Sequence, residues 1–343
     1  MRKTLYIGEF PPPFGGVTVK NQLLRDYIYN SDQVQFFNLY DCKKNRIKLV
    51  SLLHLIQKAK CENAVIVLGI GYDKRLERML QMIYLIGKEA LIQNCLIIMM
   101  GSKLQTYCKG RTHLINMLRK TKCILTESHK IEKEFQKLGI QNVDFFPNCR
   151  VAQKDWLPKK RDMEKPIKMV FFSKICEGKG VTILFEAVQL LKQRKIKFQL
   201  DFYGVLDPDY RTVFEEQIEK YSECQYYGVF DTTKQDVYAK LHEYDVLAFP
   251  TMWKGEGVAG ILVESKIAGI PAIVTDHRYN DEVVQDGVEG ILIEKNSAVA
   301  FADAVAKLDQ DPELLFQLAT GAHHSRMRYD IMTYKEHFLK FLQ

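Results

Sequence analysis

The stretch Pro250-Thr-Met-Trp-Lys-Gly-Glu-Gly-Val-Ala-Gly-Ile-Leu-Val-Glu-Ser-Lys-Ile-Ala-Gly-Ile-Pro-Ala-Ile-Val-Thr-Asp276 decides how the chain is read. The apolar run Val246–Phe249 before it reads as a strand, so the stretch begins at the rim of a sheet. Gly255, Gly257 and Gly260 let the backbone pass close to a ligand. A helix predicted over Ile261–Ala268 then aims its first N–H groups and a partial positive charge at that rim, which suits a diphosphate. Glu256 lies just before the helix and Glu264 about two turns into it. That spacing lets one carboxylate reach a sugar while the other reaches ribose hydroxyls. A surface glutamate beside a plain turn would explain either carboxylate alone. It does not explain the ordered series of glycine loop, helix start, Ala-Gly-Ile-Pro and a further strand ending before Asp276.

Outward from this stretch, strands and helices alternate in both directions. Towards the C-terminal end, strands are expected at Ile167–Phe172, Phe198–Tyr203, Cys224–Tyr227, Val246–Phe249, Ala272–Thr275 and Gly290–Ile293, with helices between them. Towards the N-terminus they are expected at Leu5–Gly8, Val34–Tyr40, Ala64–Leu68, Cys95–Met100 and Lys122–Thr126. The pattern predicts an α/β protein with two Rossmann-like domains in series, each a parallel sheet covered by helices. A charged segment with two prolines, Asp155–Pro166, reads as the linker. The expected domains are residues 1–160 and 166–325, with an amphipathic C-terminal helix over 326–343 returning to the first. A ligand is expected between the domains, at the C-terminal ends of the strands.

The 343 residues carry a formal net charge of +7. Residues 1–160 hold 27 Lys and Arg against 13 Asp and Glu, whereas residues 161–343 hold 22 against 29. The first half is therefore suited to an anionic surface, although a lysine-rich face kept for solubility explains the same charge. No recognised nucleic-acid module accompanies it, so no nucleic-acid partner is expected. The eight cysteines are scattered without a C-x-x-C pair, which fits reduced thiols and argues against a disulfide scaffold or a zinc ribbon. The start of the chain has no apolar run of signal-peptide length, and no stretch reaches bilayer-spanning length. A cytoplasmic protein, or one peripheral at the inner face of the membrane, is the expectation.

With those residues in place, the segment resembles the E-x7-E signature of retaining GT-B glycosyltransferases of family four, of the bacterial capsule, O-antigen and exopolysaccharide type. The likeness continues through Tyr279-Asn-Asp-Glu282 and Asp286-Gly-Val-Glu-Gly-Ile-Leu-Ile-Glu294. It implies that Glu264 holds the nucleotide's ribose, that Glu256 lies against the donor sugar, and that the backbone of Val258, Ala259 and Gly260 meets the phosphates. A second likeness is Phe171-Phe-Ser-Lys-Ile-Cys-Glu-Gly-Lys-Gly180, where the family carries Gly-Arg-Leu-x-x-x-Lys-Gly. Lys174 stands at the arginine position, Lys179 at the lysine position and Ser173 at the glycine. The resemblance assigns both cations to the donor diphosphate; lysine keeps the charge there but lacks the bidentate fork. A third likeness is Gly8-Glu-Phe-Pro-Pro-Pro-Phe-Gly-Gly-Val-Thr-Val-Lys-Asn21, where Gly15 and Gly16 open a helix; the resemblance assigns them, with Ser173, to donor binding, near the donor phosphate and the acceptor.

The histidine that many relatives carry after the fourth or so N-terminal strand is missing; Ile97-Ile-Met-Met-Gly-Ser-Lys103 stands there, and its Gly101-Ser102-Lys103 turn is a candidate for the acceptor side. The resemblance implies retention of anomeric configuration, with the leaving diphosphate helping to take the acceptor proton and domain closure excluding water. The nucleotide sugar, UDP- or GDP-linked, is a substrate, so no cofactor is expected. No metal is expected either, although Asp207-Pro-Asp209 superficially resembles a D-x-D pair. The His323-His324 pair reads as solvated. The acceptor is a glycan or a polyprenyl-linked sugar. Asp41–Lys48 and Lys74–Lys88 combine cations with apolar residues and are candidates for resting on an anionic membrane. The rival reading is a non-catalytic GT-B relative that binds a nucleotide sugar or stabilises a partner.

Overall fold

Strands buried on both faces need short, continuous apolar runs rich in Val, Ile and Leu, and every such run read above is a strand. The computed structural model describes residues 2–12, 15–29, 33–45, 47–71, 73–101, 103–152, 156–232 and 234–343. Pro13 and Phe14 of the proline loop, Arg46, Ser102 and Asp155 lie outside the described residues, as do the side chains of Lys43 and Lys44. The chain forms two units, residues 1–150 with 330–343, and residues 151–329.

The first unit runs β1 (Thr4–Gly8), α1 (Gly16–Tyr27), β2 (Val34–Asn38), α2 (Leu39–Lys44), α3 (Ile47–Cys61), β3 (Val65–Gly69), α4 (Asp73–Ile92), β4 (Cys95–Ile98), α5 (Leu104–Tyr107), α6 (Thr112–Arg119), β5 (Cys123–Thr126), α7 (His129–Lys137) and β6 (Val143–Phe145). The second runs β7 (Ile167–Phe172), α8 (Val181–Gln193), β8 (Phe198–Tyr203), α9 (Arg211–Lys220), β9 (Cys224–Tyr226), α10 (Val237–His242), β10 (Val246–Phe249), α11 (Gly260–Ile267), β11 (Ala272–Thr275), α12 (Asn280–Val283), β12 (Gly290–Ile293), α13 (Ala298–Gln310) and α14 (Pro312–Ser325). The final helix, α15 (Ile331–Lys340), returns to the first unit. There Phe338 is fully buried and its ring packs edge-on to Tyr29 at 5.6 Å and tilted against Phe146 at 5.4 Å. Ile331 N–H donates to Arg150 O at 2.9 Å.

Both sheets are parallel and six-stranded, in the orders β2-β1-β3-β4-β5-β6 and β12-β11-β10-β7-β8-β9. In each unit the chain first adds strands on one side of the first strand and then crosses back past it to the other side. The order therefore reverses between β1 and β3 in one unit and between β7 and β10 in the other. At such a switch point the loops leaving the strand ends diverge and open a crevice.

The segment marked as a linker by charge and proline lies against the second unit. Arg161 Nη2 meets Asp309 Oδ1 at 2.6 Å, and the Trp156 ring lies 5.1 Å from His242. Gly269, at φ +69°, leaves room for the Trp156 carbonyl, which a Cβ would approach to 2.4 Å.

Candidate functional site

In the second unit the switch point lies between β7 and β10, and the loops leaving those strands are tied together there. Gly180 has φ +80°, and a Cβ on it would stand 2.0 Å from Pro250 O. Only glycine fits that close approach. Met252 N–H donates to Gly178 O at 2.9 Å, and Gly178 gives its missing side chain's space to the Trp253 ring. On the other side of the same loop, Ile175 N–H donates to Val205 O at 2.8 Å and Asp207 N–H donates to Ile175 O at 3.0 Å. The loop after β7 is thus held between those after β8 and β10. The loop after β11 joins them, with His277 Nε2 3.2 Å from Trp253 O and Arg278 Nη1 donating to Lys254 O at 3.1 Å.

These ties bring Lys179 and Glu256 together. Lys179 Nζ donates to Glu256 Oε2 at 2.6 Å, and Thr251 Oγ1 donates to the same oxygen at 2.8 Å. Both bonds converge on Oε2, and Oε1 takes neither. The carboxylate is 7% exposed, and the ammonium lies 5.5 Å from the Phe249 ring centre. Lys174, the second cation of the motif, is exposed and meets Asp207 Oδ2 at 2.5 Å. The Asp207 hydrogen bond holds Lys174 above the usual lysine value, and the Lys174 hydrogen bond holds Asp207 below the usual carboxylate value. Asp207 stays ionised until pH falls below the ordinary carboxylate range, and Lys174 stays charged until pH rises past the ordinary lysine value. The site thus holds two lysines, each facing one carboxylate.

Ala259 precedes α11 in extended conformation, and Gly260 is the helix's first residue. Glu264 is the fifth, little more than one turn in at 3.6 residues per turn, so it sits closer to the helix start than the sequence spacing suggested. It is half-buried, while Val258 and Ala259 are buried. The orientation of α11 rests on a buried ion pair that the sequence reading missed. Lys266, 1% exposed, donates to Glu289 Oε2 and to Ser325 Oγ, each at 2.8 Å. Burial pushes the Lys266 ammonium down to about 8 despite the opposing pull of Glu289. The available signal was a lysine flanked by apolar residues in a mostly apolar helix, Gly-Ile-Leu-Val-Glu-Ser-Lys-Ile. Thr251, which fixes Glu256, carried no such signal.

In the first unit, Gly15 caps α1 in extended conformation and Gly16 begins it. A Cβ on either would meet nothing within 4 Å, so packing does not demand glycine at either position. The switch point of this sheet is filled by Asn21, whose Nδ2 donates to Glu9 O at 2.8 Å and to Gly69 O at 2.9 Å. One residue earlier on α1, buried Lys20 meets buried Glu127, just after β5, at 2.5 Å. The sequence reading named neither residue of this pair.

Two sequence expectations are corrected. His323 is buried on α14, and only its neighbour His324 is exposed, because successive helical residues point about 100° apart. In the Lys74–Lys88 stretch, Leu76, Met79, Leu80 and Ile83 are buried, which makes it largely the core face of α4. Leu85 of the same stretch is 72% exposed, and further exposed apolar surface lies on α3, where Ile47 is 71%, Val50 66% and Leu49 49% exposed. Beside them a cavity of about 290 Å³ is lined by Leu39, Leu52, Met79 and Met82 together with Arg75 and Arg78. No helix among the described residues is long and apolar enough to cross a membrane.

Residues 152–324 match the family described as Glycosyl transferases group 1. The putative glycosyltransferase EpsD of Bacillus subtilis (strain 168) is 26% identical over 194 residues, covering 56% of this chain and 49% of that protein. The putative colanic acid biosynthesis glycosyltransferase WcaL of Escherichia coli (strain K12) is 27% identical over 152 residues, covering 42% and 36%. The chain thus spans about half the length or less of these curated relatives. Among solved structures, Anabaena Alr3699/HepE in complex with UDP-glucose superposes with a TM-score of 0.76 at 14% identity, over 100% of this chain and 99% of that one. The two six-stranded parallel sheets and this likeness establish a two-domain GT-B fold.

The close packing at Gly180 yields a direct check. Gly180→Ala adds a Cβ at a left-handed φ and against the Pro250 carbonyl, and is expected to cost at least about 2 kcal/mol. Chemical denaturation measures it; a variant as stable as the wild type would show that the two loops are not locked as described.

Proposed function

The chain belongs to the glycosyl transferases group 1 family, and from that premise we propose a retaining, family-four enzyme acting in bacterial surface polysaccharide synthesis. It moves a hexose-type sugar from a UDP- or GDP-linked donor to a glycan or lipid-linked acceptor. One observation carries the reading: Lys179, from the loop after β7, meets Glu256, from the loop that leads to the start of α11, at the switch point of the second sheet. Cations beside a helix N-terminus are the arrangement that stabilises a departing diphosphate. In this reading Lys179 and Lys174 take the diphosphate charge, and Glu264 takes the ribose. Glu256 and its Oε1 face the donor sugar, and the departing phosphate oxygen accepts the proton of the attacking hydroxyl. Gly15 and Gly16, which packing does not require, leave backbone open to close approach by substrate. The non-catalytic alternative is less well supported, because Glu256, Glu264, Lys174 and Lys179 are all present.

Two lysines already supply the positive charge, so the proposed transfer needs no divalent metal. A thermal-shift panel of UDP, GDP, CMP and their sugars identifies the donor, since ligand binding to the folded state raises the melting temperature. With that donor, Glu264→Ala and Lys174→Ala are each expected to lose about ten- to a hundredfold in affinity or turnover. Their melting temperatures should stay unchanged, and transfer by the wild type should persist in EDTA. Wild-type rates in either variant would remove that residue's role. Activity abolished by EDTA and restored by magnesium would overturn the metal-free reaction.

We further infer that the first unit rests on an anionic membrane surface. The support is the exposed Ile47, Leu49 and Val50 on α3, with exposed Lys48 among them and exposed Arg78 lining the same cavity as Leu49. Exposed apolar side chains ringed by cations suit an interface of anionic headgroups. Flotation with anionic vesicles at low salt should recover the protein, and Ile47→Asp/Val50→Asp should abolish recovery. Equal recovery with neutral vesicles would remove the role of anionic headgroups, and no recovery with anionic ones at low salt would point to a soluble acceptor.

A further inference from the structure

Trp253 is 41% exposed, in the same loop as Glu256. An indole is a costly group to leave in water, and its place here is tightly specified. Its N–H main-chain group donates to Thr251 Oγ1 at 3.3 Å, and its carbonyl accepts from Glu256 N–H at 3.0 Å and lies 3.2 Å from His277 Nε2. One edge of the ring occupies the space above Gly178, where a Cβ would come within 2.8 Å of Cε3. The Thr251 hydroxyl that receives the Trp253 N–H also donates to Glu256 Oε2. A single hydroxyl therefore ties the main chain that carries the indole to the carboxylate.

A rigid, half-exposed aromatic face beside a carboxylate has the chemistry to hold a sugar. The C–H face of a pyranose is apolar and stacks on an aromatic ring, while its hydroxyls need a hydrogen-bond acceptor such as Glu256 Oε1. Such faces bind at little entropic cost because few torsions are left to freeze. We propose that Trp253 is a stacking platform for a pyranose ring, which makes it a specificity-determining residue for one of the two sugars in the reaction. This rests on the glycosyltransferase reading above. The shared chemistry is the ring's C–H face; the donor sugar and the acceptor sugar are its two sources.

The chain has two tryptophans, so Trp156→Phe makes Trp253 the single emitter. Its emission is followed during titration with UDP, UDP-glucose, UDP-N-acetylglucosamine, GDP, GDP-mannose and the methyl glycosides of glucose, galactose and mannose, with calorimetry in parallel. Wild type minus Trp253→Phe difference spectra give the same signal should Trp156→Phe not fold. The proposal expects a change in Trp253 emission with a nucleotide sugar beyond that with its nucleotide alone, if the donor sugar stacks. It expects the change with a methyl glycoside if the acceptor sugar stacks. Trp253→Leu should then lose about three- to tenfold in affinity for that sugar-bearing compound, with nucleotide affinity unchanged and Trp253→Phe recovering most of the loss. Calorimetric binding of a nucleotide sugar with no emission change, or an equal change with the nucleotide alone, would overturn the platform and leave the enzyme reading intact. No calorimetric binding of any nucleotide or sugar would overturn both.

Discussion

Lys179 and Glu256 meet at 2.6 Å with both side chains largely withdrawn from water, and the contact joins the loops after β7 and β10 of the second unit. Removing either partner of a desolvated pair strands the other, a cost of about 3–5 kcal/mol. The two residues come from loops that leave β7 and β10 on opposite sides of the switch point, so the pair spans a place where the fold alone would leave a gap. Glycine at 178 and 180 lets the backbones approach closely enough, and Thr251 fixes the carboxylate. Under the proposed reading, a donor diphosphate offers Lys179 a second anionic partner at this position.

The first unit meets the same topological problem with different chemistry. Its switch point, between β1 and β3, is closed by the neutral amide of Asn21, bound to main-chain carbonyls on either side. Its buried ion pair, Lys20 with Glu127, instead joins α1 to the end of β5. Gly15 and Gly16 open the helix that carries Lys20 and Asn21, so these contacts fix where the glycine turn points. In the second unit Lys266 plays the comparable part for α11, bound to Glu289 and Ser325.

The second sheet was legible because its strands are uninterrupted apolar runs; β7, β8, β10, β11 and β12 lie at the residues expected. Where the pattern weakens, so did the reading. The run from Val34 was expected to continue as strand to Tyr40, but the Asn38 side chain accepts the Tyr40 N–H and caps α2 instead. The half-buried three-residue edge strand β6 was missed, since it has too few apolar residues to show a period. At the site, Lys174, Lys179, Glu256 and Glu264 stood in recognisable spacing. Their partners Thr251 and Asp207 did not, because they act through distances that only the folded chain creates. Lys266 and Lys20 look like surface residues in any composition count, yet each is almost wholly buried.

Under the proposed reading, the loops after β7 and β10 in the second unit bind a nucleotide's diphosphate through Lys179. Calorimetric titration of wild type and Lys179→Met with UDP and UMP, and with GDP and GMP, tests it most directly. For one base, the wild type should bind the diphosphate about tenfold or more tightly than the monophosphate, the increment typical of a charge-assisted contact. Lys179→Met, folded by circular dichroism, should lose that difference while keeping the monophosphate affinity. A variant that binds both nucleoside diphosphates as tightly as the wild type would contradict the account.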